Sequence, residues 1–201
     1  MKKKLVEFTL LELLIVIAII MILAGLLLPT LKKAKEMGKR SICANNQKQI
    51  SMAVFYYSQD YNGWIVPFQI TSGDWTSYWN YLIEDYIPQI NVFMCPTSKT
   101  PWPPSWHWKG HNYMNYGYNR YGLSSNITSW KKMQSISTPS IRILIADRFE
   151  EGTGEGYTPQ IIKTGVYMIS NRHSGGGILT FLDSHSTWTP IADIQDEWWG
   201  W

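Results

Sequence analysis

The stretch Phe8 to Leu28, FTLLELLIVIAIIMILAGLLL, holds twenty-one residues and one charge, Glu12. Lys2, Lys3 and Lys4 precede it, Pro29 closes it, and Lys32, Lys33, Lys35, Lys39 and Arg40 follow. Helical residues rise about 1.5 Å each, so this run spans about 31 Å, the hydrocarbon thickness of a bilayer. A secretory signal has a shorter apolar region, about 7 to 15 residues, and ends in a small-x-small cleavage site. Ala24, Gly25 and Leu26 make a poor site of that kind, and the run predicts a retained membrane helix.

Glu12 is the anomaly in that run. An acidic side chain at the centre of a membrane helix costs about 2.5 to 3.5 kcal/mol and usually has a functional partner. Glu12 lies four residues in from Phe8, about 6 Å along the axis. Burial physics alone leaves two readings open: a partnered carboxylate, or one that reaches water at the headgroups. The flanking cations, three before and five after, taken alone put the C-terminal side in the cytoplasm. The cysteines and the Trp-rich remainder point the other way.

The segment KKKLVEFTLLELLIVIAIIMILAGLLLP resembles the N-terminal signature of type IV pilins and of the pseudopilins of type II secretion. In that family a prepilin peptidase cuts a short basic leader just before a Phe, which is then N-methylated. The resemblance puts the cut between Glu7 and Phe8, with Glu7 where the family carries Gly. Glu12 is then the fifth mature residue, the one that pairs with the N-terminal amine of a neighbouring subunit. Pro29 matches the proline where the pilin helix kinks or melts on assembly. The likeness covers about the first 60 residues.

The resemblance implies a lysine leader in the cytoplasm and the bulk of the chain translocated. The chain would be single-pass in the inner membrane, with its C-terminal domain periplasmic or extracellular. Its partners would be other pilin-like subunits in a homo- or hetero-filament, the prepilin peptidase, an inner-membrane assembly platform and membrane lipid. It also gives Glu12 a role, since a cation that meets a carboxylate in lipid stabilises it.

Past Pro29, the apolar residues Leu31, Ala34, Ile42, Ile50, Ala53, Val54 and Tyr57 recur at helical spacing. Proline inside such a pattern ends or kinks a helix, and Gly25 and Gly38 weaken it further. The sequence predicts one helix from Phe8 to about Asp60, ended by the turn residues Asp60, Asn62 and Gly63. Four regions follow: a leader over 1–7, a membrane and assembly helix over 8–28, its amphipathic continuation over 29–60, and a Trp-rich extracytoplasmic domain over 61–201.

Charge divides along the same line. Residues 1–50 hold nine Lys/Arg and three Asp/Glu, whereas residues 51–201 hold nine and twelve. The basic character therefore sits in the leader and helix, and no nucleic-acid-binding domain is predicted. All 11 Trp lie beyond residue 63. About 140 residues there suffice for one modest core.

Residues 62–135 read mainly as loops, with a short helix over 75–86 carried by Trp75, Tyr78, Trp79, Leu82 and Tyr86. Ile141 to Ala146, Gly165 to Ile169 and Ile178 to Leu182 read as strands, with a last strand near Ser186 to Thr189. The expected fold is α+β: a long N-terminal helix packed on a small antiparallel sheet. The pilin resemblance implies the same architecture.

Cys43 and Cys95 are an even count in a domain taken to be translocated, which reads as a disulfide; two buried free thiols are the alternative. Their contexts, SICANNQKQI and VFMCP, resemble a pilin-like subfamily with one Cys in the helix and a later Cys-Pro. Neither has a second cysteine or a histidine near it in sequence, so no metal pair is predicted.

The segment RHSGGGILTFLDSHS resembles a pilin-like group with His, nine residues, then Asp-Gly. His173 and Asp183 keep that spacing, and Ser184 stands in place of the glycine. Gly175 to Gly177 read as a tight turn and Asp183-Ser184 as the next one. A two-residue turn there needs positive φ at both positions, so Ser184 makes a longer loop an alternative. His173, Asp183, His185 and Asp147 are metal-ligand types, weak candidates with no visible cluster, and no cofactor is expected.

Trp102, Trp106 and Trp108 in WPPSWHW, and the C-terminal EWWGW, concentrate Trp at expected surface positions. Subunit contact, polysaccharide stacking or loop packing each account for them. No Gly-x-Ser-x-Gly, His-Glu-x-x-His or P-loop occurs, and no catalytic residue is predicted. Two functions follow: a filament or pseudopilus subunit, or a membrane-tethered protein that contacts polysaccharide through its Trp loops.

Overall fold

A computed structural model describes residues 9–72, 75–98, 114–123, 130–148, 160–161 and 169–199. The chain divides into two compact units between Gly38 and Lys39. Helix α1, Leu10–Asp60, runs through that boundary and is 51 residues long.

In the first unit α1 is apolar and exposed. Its most apolar window has a mean hydropathy of 3.0 and none of it is buried, so the helix is long and apolar enough to cross a membrane. Pro29 lies inside without ending the helix. A proline removes the backbone donor to the carbonyl four residues back. Thr30 Oγ1 donates to the Leu27 carbonyl at 2.7 Å, placing an extra donor in the depleted turn.

In the second unit α1 becomes a packing helix. Cys43, Gln47, Ile50, Val54 and Tyr57 are buried at steps of four and three, with Ser51, Ala53 and Ser58 beside them. That spacing puts one stripe against the domain. Of the apolar positions read from the sequence, Ile50, Ala53, Val54 and Tyr57 lie in the stripe, whereas Leu31 and Ile42 are exposed. The helix ends as expected. Asn62 and Gly63 take positive φ, and the Gly63 amide donates to the Ser58 carbonyl at 2.7 Å, closing the last turn.

A hairpin of β1 (Gln69–Ser72) and β2 (Trp75–Tyr78) leads into a single-turn helix α2 (Trp79–Leu82). The helix expected over 75–86 is thus half wrong. Its first four residues pair as a strand, because backbone bonds to β1 override a helical spacing of aromatics. Next come β3 (Tyr116–Asn119), a single turn α3 (Arg120–Leu123), β4 (Ile143–Asp147), β5 (Gln160–Ile161), β6 (Gly176–Phe181) and β7 (Ser186–Pro190). The main sheet has the order β5-β3-β4-β6-β7 and is antiparallel except for the two-residue edge strand β5, which runs parallel to β3.

The strand expected over Ile141 to Ala146 starts two residues later, since 139–141 form a 3-10 turn. Of Gly165 to Ile169 only Ile169 is described, bridged to Arg148. Gly175 turns with φ +89, but Gly176 and Gly177 belong to β6. Added Cβ atoms there would lie 2.5 Å from the Thr189 carbonyl and 2.7 Å from the Ser170 carbonyl. These two glycines allow close backbone approach.

The sheet buries both faces. Tyr116, Tyr118, Ile145 and Ile178 join the α1 stripe in one core. Ile143, Ala146, Leu179 and Phe181 form a second with Ile161 and Trp199. A register shift between Ile143 and Ile145 lets Leu144 and Ile145 face the same core. Trp198 meets the Phe181 ring edge-on at 5.5 Å, and Trp199 is buried. These two C-terminal tryptophans, expected at the surface, are packing residues.

Candidate functional site

Two regions carry the sequence-derived candidates. At the start of α1, Thr9 is the helix cap. Its amide and hydroxyl donate to Glu12 Oε2 at 2.8 and 2.9 Å, and the Glu12 amide donates to Thr9 Oγ1 at 3.2 Å. This is a reciprocal capping box, Thr-x-x-Glu, which satisfies two amides at the helix start. It gives Glu12 a partner within its own chain, which the charge argument overlooks, although a Thr three residues before an acid and ahead of an apolar run signals it. Glu7 and Phe8 lie outside the described residues, as do Trp102, Trp106 and Trp108.

The second region is a buried polar cluster in the domain, built from four separate segments. Cys43 and Gln47 come from α1, Cys95 and Thr97 from the loop after 90–93, Asp147 from the end of β4, and His173 from the turn before β6. Cys43 and Cys95 form the expected disulfide, with Cα atoms 5.3 Å apart. It ties α1 to the loop. Asn46 Nδ2, three residues along the helix, donates to the Met94 carbonyl at 2.8 Å and reinforces that tie.

Gln47 and Asp147 are fully buried, so their polar atoms require partners. Gln47 Nε2 donates to Asp147 Oδ1 at 3.1 Å and to the Ile178 carbonyl at 3.2 Å, and its Oε1 accepts from Thr180 at 3.0 Å. Asp147 Oδ2 accepts the Ile178 amide at 2.7 Å. Burial pushes the Asp147 carboxyl above its ordinary range; the charges of Arg172 and His173 and these hydrogen bonds oppose that shift.

His173 sits at the centre. Its Nε2 lies 3.4 Å from Asp147 Oδ2, 3.5 Å from Cys95 Sγ and 3.5 Å from Thr97 Oγ1. Thr97 Oγ1 is also 2.9 Å from Cys95 Sγ; a disulfide sulfur has no proton, so the hydroxyl donates. The His173 carbonyl accepts from Arg40 Nη2 at 2.9 Å and from Trp188 Nε1 at 2.8 Å. The Arg40 guanidinium covers the Trp188 ring at 4.5 Å.

The four metal-ligand candidates do not converge. His173 and Asp147 meet in the interior, at the start of β6. Asp183 and His185 meet beyond its other end, in the exposed hairpin loop, with Nδ1 and Oδ1 2.6 Å apart. Sequence spacing missed Gln47 and Thr97. Gln47 could have been found as the polar residue on an otherwise small or apolar 4–3 stripe; nothing local marks Thr97.

Elsewhere in the domain, Met52, Phe55 and Tyr56 of α1 line an open apolar groove of about 880 Å³ with Met133, Ile136 and Leu182. No known protein family, characterised protein or solved structure matches the chain.

Proposed function

We propose that the chain is a pilin-like structural subunit, held in the inner membrane by residues 8–28. It assembles through them with other pilin-like subunits into a type IV pilus or a type II secretion pseudopilus. The carrying observation is α1 itself: one 51-residue helix, apolar and exposed over its first part and packed into an α+β domain over its last. An apolar helix left uncovered among the described residues needs lipid or neighbouring helices, and a pilin uses both in turn. A prepilin peptidase cuts before Phe8, and the new ammonium of Phe8 meets Glu12 of the next subunit. That pair neutralises charge in the bilayer and sets the axial register.

The capping box favours a second reading, a membrane-tethered extracytoplasmic binding protein, because Glu12 then serves only its own helix. Comparing wild type with Glu12→Gln and Glu12→Ala separates the two, because a tethered binding protein is not incorporated even as wild type. Glutamine keeps a capping box but carries no charge. Incorporation into sheared filaments or a secretion pseudopilus is measured in the native host beside total membrane-inserted protein. For a pilin-like subunit both variants insert and neither is incorporated. Normal incorporation of Glu12→Gln would sink the charge-pairing mechanism.

A further inference from the structure

We propose that Cys43, Cys95 and His173 form a redox-gated zinc site, disulfide-locked when oxidised and able to hold one Zn²⁺ when reduced, with Asp147 as the fourth ligand. The sulfurs of Cys43 and Cys95 and a ring nitrogen of His173 all lie within 4.8 Å of one another, and all three residues are buried.

The separations fit a tetrahedral ion. With Zn–S near 2.3 Å and Zn–N or Zn–O near 2.0 to 2.2 Å, the edges of a zinc tetrahedron run from about 3.3 to 3.8 Å. Cys95 Sγ to His173 Nε2 is 3.5 Å, and His173 Nε2 to Asp147 Oδ2 is 3.4 Å. Two edges of the polyhedron are therefore already set. Cleaving the S–S bond lets the sulfurs separate to the third. The Asp147 carboxylate lies outside the 4.8 Å group and has to move towards the sulfurs, loosening a bond to Gln47 or to the Ile178 amide, to complete the site.

The surroundings suit a metal as well. Metal-bound carboxylates and thiolates are held by outer hydrogen bonds. Gln47 Nε2 and the Ile178 amide already orient the Asp147 carboxylate, and the Thr97 hydroxyl already faces Cys95 Sγ. Two thiolates, one carboxylate and Zn²⁺ leave one negative charge, which the nearby Arg172 guanidinium opposes.

The chemistry balances. A dithiol reductant passes two electrons and two protons to the sulfurs and becomes a disulfide itself. Zn²⁺ then bonds both sulfurs, and their two protons leave to water. The ion joins α1 to the loop at the same atoms that the disulfide joins. Metal binding is folding free energy in such a site, so zinc replaces the cross-link that reduction removes.

The test uses the full chain in detergent, reduced under nitrogen with a phosphine, which takes oxygen from water as the disulfide becomes two thiols. Co²⁺ is then added as a spectroscopic stand-in. Expected are one Co²⁺ per chain, a sulfur-to-cobalt charge-transfer band and tetrahedral d–d bands, all bleached by Zn²⁺. The oxidised chain gives none of them. Asp147→Asn loses a charged ligand and binds at least about 10-fold more weakly, the smallest loss usual for a mere outer-shell partner, and His173→Ala more weakly still. Near-UV circular dichroism of the oxidised variants, where the disulfide holds the fold, shows that they are folded before reduction. Three results would overturn the proposal: no charge-transfer band in the reduced chain, equal affinity in His173→Ala, or a reduced chain that unfolds and stays unfolded with zinc.

Discussion

Helix α1 is one element with two different causes. From Leu10 to Leu28 none of the apolar window is buried, while from Cys43 to Ser58 eight side chains are. The second half is helical because its stripe is packed, the usual source of helix stability in a folded domain. Among the described residues the first half has no packing to credit. Its helicity comes from a capped start at Thr9 and from good helix formers such as Leu, and in lipid from the need to satisfy every backbone group internally. Continuous secondary structure therefore does not imply a continuous energetic role. The first half is a surface that awaits an environment, and the second is part of a core.

The largest effect that sharpens this contrast is loss of the disulfide. Opening a loop that spans 52 residues costs about 4 kcal/mol on the chain-entropy model. Cys43→Ser with Cys95→Ser, held in chelator, should lower domain stability in denaturant by that amount while leaving membrane insertion unchanged. An insertion defect of equal size would mean that the halves are not energetically separate.

A matched pair of truncations probes the same point more locally. Ile50→Ala removes a fully buried side chain and should cost about 2 to 5 kcal/mol. Ile19→Ala, at a residue 52% exposed, should change domain stability by less than about 0.5 kcal/mol. Equivalent losses in chemical denaturation would break the comparison.

A smaller effect belongs to the domain alone. The loop between β6 and β7 turns through Asp183 and Ser184, with the Ser184 amide donating to the Phe181 carbonyl at 2.9 Å. Ser184 sits at φ +70, a left-handed conformation costing a non-glycine residue about 1 to 2 kcal/mol. Ser184→Gly should stabilise the domain by about 0.5 to 1 kcal/mol after the glycine's own entropy cost. No change in thermal unfolding would mean that Ser184 is not strained.

These differences track what a sequence can display. The long helix is legible because an apolar run and a 4–3 stripe are local patterns. The β6–β7 hairpin is legible because an apolar run and its turn residues lie within fifteen positions. β1, β2 and β3 are not: Gln69–Ser72 has no apolar alternation, and Trp75 to Tyr86 has helical spacing that strand pairing overrides. The buried cluster is the least visible of all. His173 lies 78 positions from Cys95, and only the folding of β4 and β6 against α1 brings Gln47, Asp147 and His173 together. Cys43 and Cys95 have no histidine near them in sequence, whereas His173 adjoins Cys95 in space.

The most direct test of the pilin-like account is the N-terminal residue of the protein purified from its native host, read by intact mass and N-terminal peptide mapping. The expected result is a chain that begins at Phe8, carrying an N-methyl group. A chain that still begins at Met1 or Lys2 would contradict it, and would leave α1 as the unprocessed anchor of a tethered binding protein.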